Sequence, residues 1–357
     1  MYSKRLAVVF MSIVLVVALG VLFSSCSSGG GGAAGPAVDN MRANGVYKIV
    51  FITGGYGGGG EIGTMTFNGA GSASYLASSP VPTTVPQVMA YTVTTDNAIT
   101  IDSDLIGNMR SGGSFFVATS VTPSNLGTII GIKQSTLVSE PSNTYTYMSA
   151  FHQFRTTTTM GAWTGMFSAV TASPSSGQLT LNTIVGPGPS GTTTFSLASN
   201  GTFSVPSTAG NDLFGAISSD KEMWIMGDVV PPDYMAIVGL RLPGTGMTAA
   251  SVNGTYIMHE SRESFSLPNN NNWGAARGRL VMSGTGSTGT ATYTELATSG
   301  TPDPTPFTFG YTMASDGTFT IEMPGYMGVA LKDGTMFTLV DYGSSTMDRA
   351  VMIGVKQ

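Results

Sequence analysis

The sequence predicts an all-β protein made of three tandem antiparallel meander units of about 100 residues each. Three observations predict it. Charged residues are only 10% of the chain and glycines number 48. Short runs rich in Val, Ile, Thr, Phe and Tyr alternate with clusters of Gly, Asn, Asp, Ser and Pro, the alternation of strands with turns. Finally, the pattern recurs three times, over residues 44–137, 142–245 and 252–357, and a repeat of this kind marks a structural unit.

Each unit opens on a tyrosine that follows a turn: Tyr47 after Asn44-Gly45, Tyr145 after Ser142-Asn143 and Tyr256 after Asn253-Gly254. Each has a mid-unit hairpin, Tyr91–Ile101, Phe195–Val205 and Tyr311–Ile321. Its centre is Asp96-Asn97, Asn200-Gly201 or Asp316-Gly317, pairs that suit a type I′ turn with positive φ at both residues. A second hairpin region follows at 111–119, 219–228 and 332–341, with Phe115, Trp224 and Phe337 read as matched positions. Each unit ends on one more strand: Ile130-Gly131-Ile132, Val238-Gly239-Leu240 and Ile353-Gly354-Val355.

Strand starts in the first unit fall at Tyr47, Ile62, Ser72, Tyr91, Ala98, Leu105, Ser114 and Thr128. Eight sequential strands close into a barrel or fold into a sandwich. The order resembles that of small lipocalin-like barrels. The alternative is a six-bladed propeller, each unit supplying two four-stranded blades. Pairing of last with first strand is expected to lay Tyr47 over Gly131, since aromatic rings cover strand glycines.

The N-terminus carries the address. Lys4 and Arg5 precede an apolar run from Leu6 to Phe23, and then come Ser24, Ser25 and Cys26, the single cysteine. This is the layout of an export signal. Phe23-Ser24-Ser25-Cys26 resembles the lipobox of bacterial lipoproteins. The family pattern carries a large aliphatic residue where this chain has Phe23, and Gly or Ala where it has Ser25. The resemblance implies a signal peptide over 1–25, cleavage before Cys26 and lipidation of Cys26. Several acyl chains such as palmitate hold a chain on a membrane far better than one. Ser27 after the cysteine implies outer-membrane sorting within the cell envelope. Residues 26–43 are then a lipidated tether of Gly and Ser composition. A body without other cysteines is stabilised by burial and not by disulfides.

Few functional motifs stand out. Loss of Lys4 and Arg5 with the leader takes the formal charge from −5 to −7, which argues against nucleic acid as a partner. Gly55-Tyr-Gly57-Gly-Gly-Gly60 matches a dinucleotide fingerprint, but Glu61–Phe67 reads as a strand and the fingerprint needs a helix there. His152 and His259 have no metal-ligand spacing. Asp220/Asp228 and Asp333/Asp341 read as turn and strand-end residues, and the 21 methionines as core filling. Trp163 and Trp273 are the possible binding anchors. The sequence assigns no catalytic residue, no metal and no cofactor. It predicts a membrane-anchored, non-catalytic interaction or structural module whose partner is an envelope protein; the alternative is a small apolar ligand inside one or more barrels. Filled interiors favour the first and a cavity favours the second.

Overall fold

The computed structural model describes residues 36–53, 59–79, 82–122, 126–135, 145–155, 161–171, 176–185, 190–206, 212–228, 233–264, 272–342 and 349–357. Cys26 and the signal segment lie outside the described residues.

Barrel 1 contains β1 (Gly45–Thr53), β2 (Gly59–Phe67), β3 (Ser72–Ser79), β4 (Gln87–Val93), β5 (Ala98–Ile101), β6 (Leu105–Met109), β7 (Phe115–Ser120) and β8 (Gly127–Lys133). Barrel 2 contains β9 (Tyr145–Arg155), β10 (Gly161–Thr171), β11 (Ser176–Val185), β12 (Gly191–Leu197), β13 (Thr202–Val205), β14 (Leu213–Ile217), β15 (Met223–Asp228) and β16 (Asp233–Arg241). Barrel 3 contains β17 (Gly254–Ser264), β18 (Asn272–Thr285), β19 (Thr288–Thr298), β20 (Phe307–Met313), β21 (Thr318–Ile321), β22 (Tyr326–Ala330), β23 (Met336–Asp341) and β24 (Arg349–Lys356). Every strand pairs antiparallel with its sequence neighbours, and first pairs with last, so each unit is a closed eight-stranded up-and-down barrel. The propeller alternative is therefore wrong: closure within each unit leaves no blades.

The mid-unit hairpins correct the turn expectation. Asn97 (φ 68°), Gly201 (85°) and Gly317 (89°) have positive φ, but Asp96, Asn200 and Asp316 do not. Asn97 N–H donates to Thr94 O and Thr94 N–H to Ala98 O, and the same pair of bonds recurs at Ala198 and Ala314. This is a three-residue loop, a type I turn closed by one left-handed residue. One positive φ is needed per turn, so Asn or Gly is required only at its last position.

The unit's opening tyrosine is also shifted in copy two. Tyr47 Oη donates to Gly113 O (2.5 Å) and Tyr256 Oη to Gly334 O (2.6 Å), and the matching bond in barrel 2 is from Tyr147 to Lys221 O (2.9 Å). Tyr147, not Tyr145, is the equivalent residue. A slip of two residues keeps a side chain on the same face of a strand, so alternation does not separate the two.

Gly131, Gly239 and Gly354 are covered by rings, as expected, but by different ones. Their cross-strand partners are Phe116, Trp224 and Phe337, and a Cβ at any of the three would collide with that ring. Tyr47 pairs with Lys133, and Ile49 lies opposite Gly131. Tyr47 instead meets Phe116 edge-on at 5.4 Å. The matched position in barrel 1 is thus Phe116 and not Phe115, whose equivalents are Met223 and Met336.

These rings fill the interiors. In barrel 1, Tyr47, Phe67, Tyr91 and Phe116 pack edge to face at 4.7–5.6 Å. In barrel 3, Tyr256, Phe337, Phe319 and Tyr311 pack edge to face at 5.0–6.5 Å. Edge-to-face geometry sets the positive ring rim against a negative face. Short 3-10 turns at Asn40–Ala43 and Ala249–Val252 abut one end of barrels 1 and 3. Ala43, Ala249 and Val252 join the interior cores, and Tyr91 and Tyr311 donate to Asn40 O and Ala249 O.

The three barrels form a ring. β1 and β2 lie against β15 and β16, β9 and β10 against β23 and β24, and β17 and β18 against β7 and β8. The same face of each unit thus meets the opposite face of the next, a head-to-tail contact that closes after three steps. The strands at the centre are buried on both faces: β7 and β23 throughout, and β8 and β15 except at their last residue.

Candidate functional site

The most distinctive chemistry lies where the barrels meet. Register places equivalent outward-facing residues of the first, seventh and last strands in three layers. The layer nearest the β6–β7 turn contains Phe115, Met223 and Met336 with Ile132, Leu240 and Val355. The middle layer has Val117, Ile225 and Thr338, then Ile130, Val238 and Ile353, then Val50, Ala150 and His259. The third has Thr119, Gly227 and Val340, then Thr128, Ala236 and Val351, then Ile52, His152 and Ser261. Most of the apolar members belong to one core shared by all three units. In the layer nearest the turn the first strands contribute Lys48, Met148 and Ile257.

Beyond the first layer, at the β6–β7 turn, Arg110 of barrel 1 binds both other barrels. Nη1 donates to Asp220 Oδ2 (3.0 Å), Nη2 to Asp333 Oδ2 (2.7 Å) and Nε to Thr335 Oγ1 (3.1 Å). The turns are equivalent: Arg110, Ser218 and Leu331 each donate a backbone N–H to the residue five places on. Asp220 and Asp333 therefore occupy the place of Gly112. Burial opposes the guanidinium charge, but the two carboxylates outweigh it and hold its pKa above the ordinary value. The aspartates keep their turn role as well, since Asp333 Oδ1 accepts from Thr335 N–H and Asp220 Oδ1 from Glu222 N–H.

The Arg110 side chain is 10% exposed, but the aspartates are 44% and 47% exposed, so water can replace the lost cation and the pairs are partly screened. Arg110→Ala is expected to destabilise the body by about 1–2 kcal/mol, measured by urea unfolding. Arg110→Lys is expected to restore little of it, because one ammonium lacks the planar fork that reaches three acceptors.

At the other end of the axis, Ile52, Thr128, Ile130, Ala150, His152, Ala236, Val238, His259, Ser261, Val351 and Ile353 surround a cavity of about 20 Å³. His152 and His259 are 2% and 1% exposed. Burial pushes both imidazoles down to about 3, and for His259 the Arg277 charge adds to it. Both are neutral at neutral pH. His259 Nδ1 lies 3.1 Å from Thr119 Oγ1 of barrel 1, which lies 3.4 Å from Thr128 Oγ1. Their places in the sequence, five residues after Tyr147 and three after Tyr256, gave no sign that the two histidines share one cavity; what brings them together is ring closure.

Other sequence candidates are placed as follows. Trp163 and Trp273 stand near the starts of the equivalent strands β10 and β18, opposite Gln153 and Glu263. Counted from Tyr147 and Tyr256, these partners are one register position apart, so the tryptophans are not equivalent. Gly59 and Gly60 open strand β2, and no helix follows the glycine run. Among the described residues no group of three or more His, Cys, Asp and Glu is arranged to hold a metal ion.

No family model and no curated protein matches this chain. Solved structures overlap with it at low identity, among them three of transferrin binding protein B. Isotype 1 transferrin binding protein B from serogroup B Neisseria meningitidis is 11% identical, with a TM-score of 0.29, covering 90% of this chain and 78% of that one. Intact Ap-TbpB, with N and C lobes, is 10% identical at a TM-score of 0.31, covering 93% and 82%. Transferrin Binding Protein B from Haemophilus parasuis Hp5 is 12% identical at 0.33, covering 91% and 76%.

Proposed function

We propose that this chain is an exported, lipid-anchored outer-membrane protein whose three-barrel body is a rigid, non-catalytic interaction or structural module for an envelope protein. The observation that carries this reading is the filling of the barrels. Tyr47, Phe67, Phe116, Tyr91, Tyr256 and Phe337 are buried almost completely, and the interiors of barrels 1 and 3 are closed by ring-on-ring contacts. An eight-stranded barrel has room for its own side chains or for one small ligand, and in barrels 1 and 3 side chains take the space. Activity then resides on the outer surface and the loops, held in fixed relation by the shared core. Lipidation at Cys26 would make the membrane the body's first partner.

Cys26→Ser tests the anchor. The variant is expected to keep the wild-type circular dichroism spectrum, lose labelling by a palmitate analogue and move from the membrane to the soluble fraction. Retention on the membrane would mean that Leu6–Phe23 is itself the anchor. Mass spectrometry of the purified body tests the module: a stoichiometric co-purifying lipid would replace the interaction reading with ligand carriage.

A further inference from the structure

The cavity on the ring axis holds two polar groups with no use inside the protein. His259 Nε2 and Ser261 Oγ have no hydrogen-bond partner among the described residues. Both residues line the cavity, and they are 1% and 8% exposed. They are two places apart on β17, so they face the same way. An orphaned polar atom buried this deeply costs about 1–3 kcal/mol. Whichever tautomer His259 adopts, only one ring nitrogen is used by Thr119, and Nε2 keeps one capacity to donate or accept. Room for a water requires about 10–15 Å³ and two to four polar partners. The cavity has about 20 Å³.

We propose that this cavity is a binding site for one ordered internal water, held by His259 Nε2 and Ser261 Oγ and joined through the imidazole to Thr119 of barrel 1. The water extends a polar chain, Ser261–water–His259–Thr119–Thr128, that crosses the seam between barrels 3 and 1. At this level the equivalents of His259 are Val50 and Ala150, and the equivalents of Ser261 are Ile52 and His152. A water molecule suits the site better than an ion, because a neutral imidazole and a hydroxyl supply no charge to balance one.

The test is a crystal structure of the residue 36–357 body at about 1.5 Å, with the His259→Val/Ser261→Ile variant beside it. These replacements are the residues that barrel 1 carries at the same places. The expected result is a density peak within hydrogen-bond distance (about 2.6–3.2 Å) of both His259 Nε2 and Ser261 Oγ, absent from the variant. A water-to-imidazole nuclear Overhauser effect on the histidine side chain is expected in solution for the wild type only. An empty cavity, a direct His259–Ser261 hydrogen bond, or metal density at the site would each overturn the proposal. If the variant fails to fold, the wild-type density and Overhauser effect still decide it.

Discussion

Between pH 6.5 and 5 the body is expected to lose about 3 kcal/mol of stability, before most carboxylates titrate. The cause is the pair of buried histidines. Each has an ordinary value of 6.5 and a folded value of about 3. Below pH 6.5 the unfolded chain takes up protons that the folded chain refuses, so falling pH favours unfolding. Well below pH 6.5 each histidine contributes a limiting slope of about 1.4 kcal/mol per pH unit, and two contribute about 2.7. The stability is fully present above pH 6.5 and is lost progressively down to about pH 3. Urea unfolding at half-unit pH steps measures the slope. His152→Ile and His259→Val together place at both positions the residues that barrel 1 uses there, Ile52 and Val50. That double variant is expected to be flat between pH 6.5 and 5. A wild-type protein already flat in this window would show that the imidazoles gain protons while folded.

Ile225→Asp is expected to destabilise the whole body by more than about 5 kcal/mol. Ile225 is 0% exposed and belongs to the core shared by all three barrels. Truncating such a residue to alanine costs about 2–5 kcal/mol by lost burial and the cavity left behind. A carboxyl group there adds the cost of burying a polar group with nothing arranged to receive it. Because the shared core supports every barrel, calorimetry is expected to show a single transition for the wild type and a single, lowered transition for the variant. Val88→Asp, at a position 71% exposed, is the control and is expected to stay within about 0.5 kcal/mol of wild type. Separate melting of barrel 2, with barrels 1 and 3 unchanged, would show that the ring is three independent domains on a string.

The eight strands and the three units were legible in the sequence because turns punctuate them. Most strands of barrel 1 lie where apolar and β-branched runs sit between Gly, Asn, Asp, Ser and Pro clusters. The ring was not legible, for a reason visible in β7. Phe115-Phe-Val-Ala-Thr-Ser120 is buried on both faces, and such a run does not reveal what covers its second side. The outward faces of β1, β7 and β8 point into the shared core, so His152 and His259 sit on the outside of their barrels and inside the protein. The Arg110 clamp did leave one trace. Copy one breaks the repeat twice within three residues, with Arg110 in place of Ser218 and Leu331, and Gly112 in place of Asp220 and Asp333. Copy one gains a cation where the other two have none, and lacks the anion that they carry two residues on; read together those departures are a contact across units. The aromatic cover of Gly131 was legible as a need but not as an address, because two neighbouring strands can each supply a ring.

Closing the ring within one polypeptide has an evolutionary consequence. In an assembly of three identical subunits, a single codon change appears at all three seams at once, so an arginine facing an aspartate must face two other arginines as well. Here each seam is encoded separately. Copy one could gain Arg110 while the others kept their carboxylates, and copy three could gain a histidine where copy one has valine. Tethering three subunits end to end released them from having to match, and the differences among them are where new properties have room to arise.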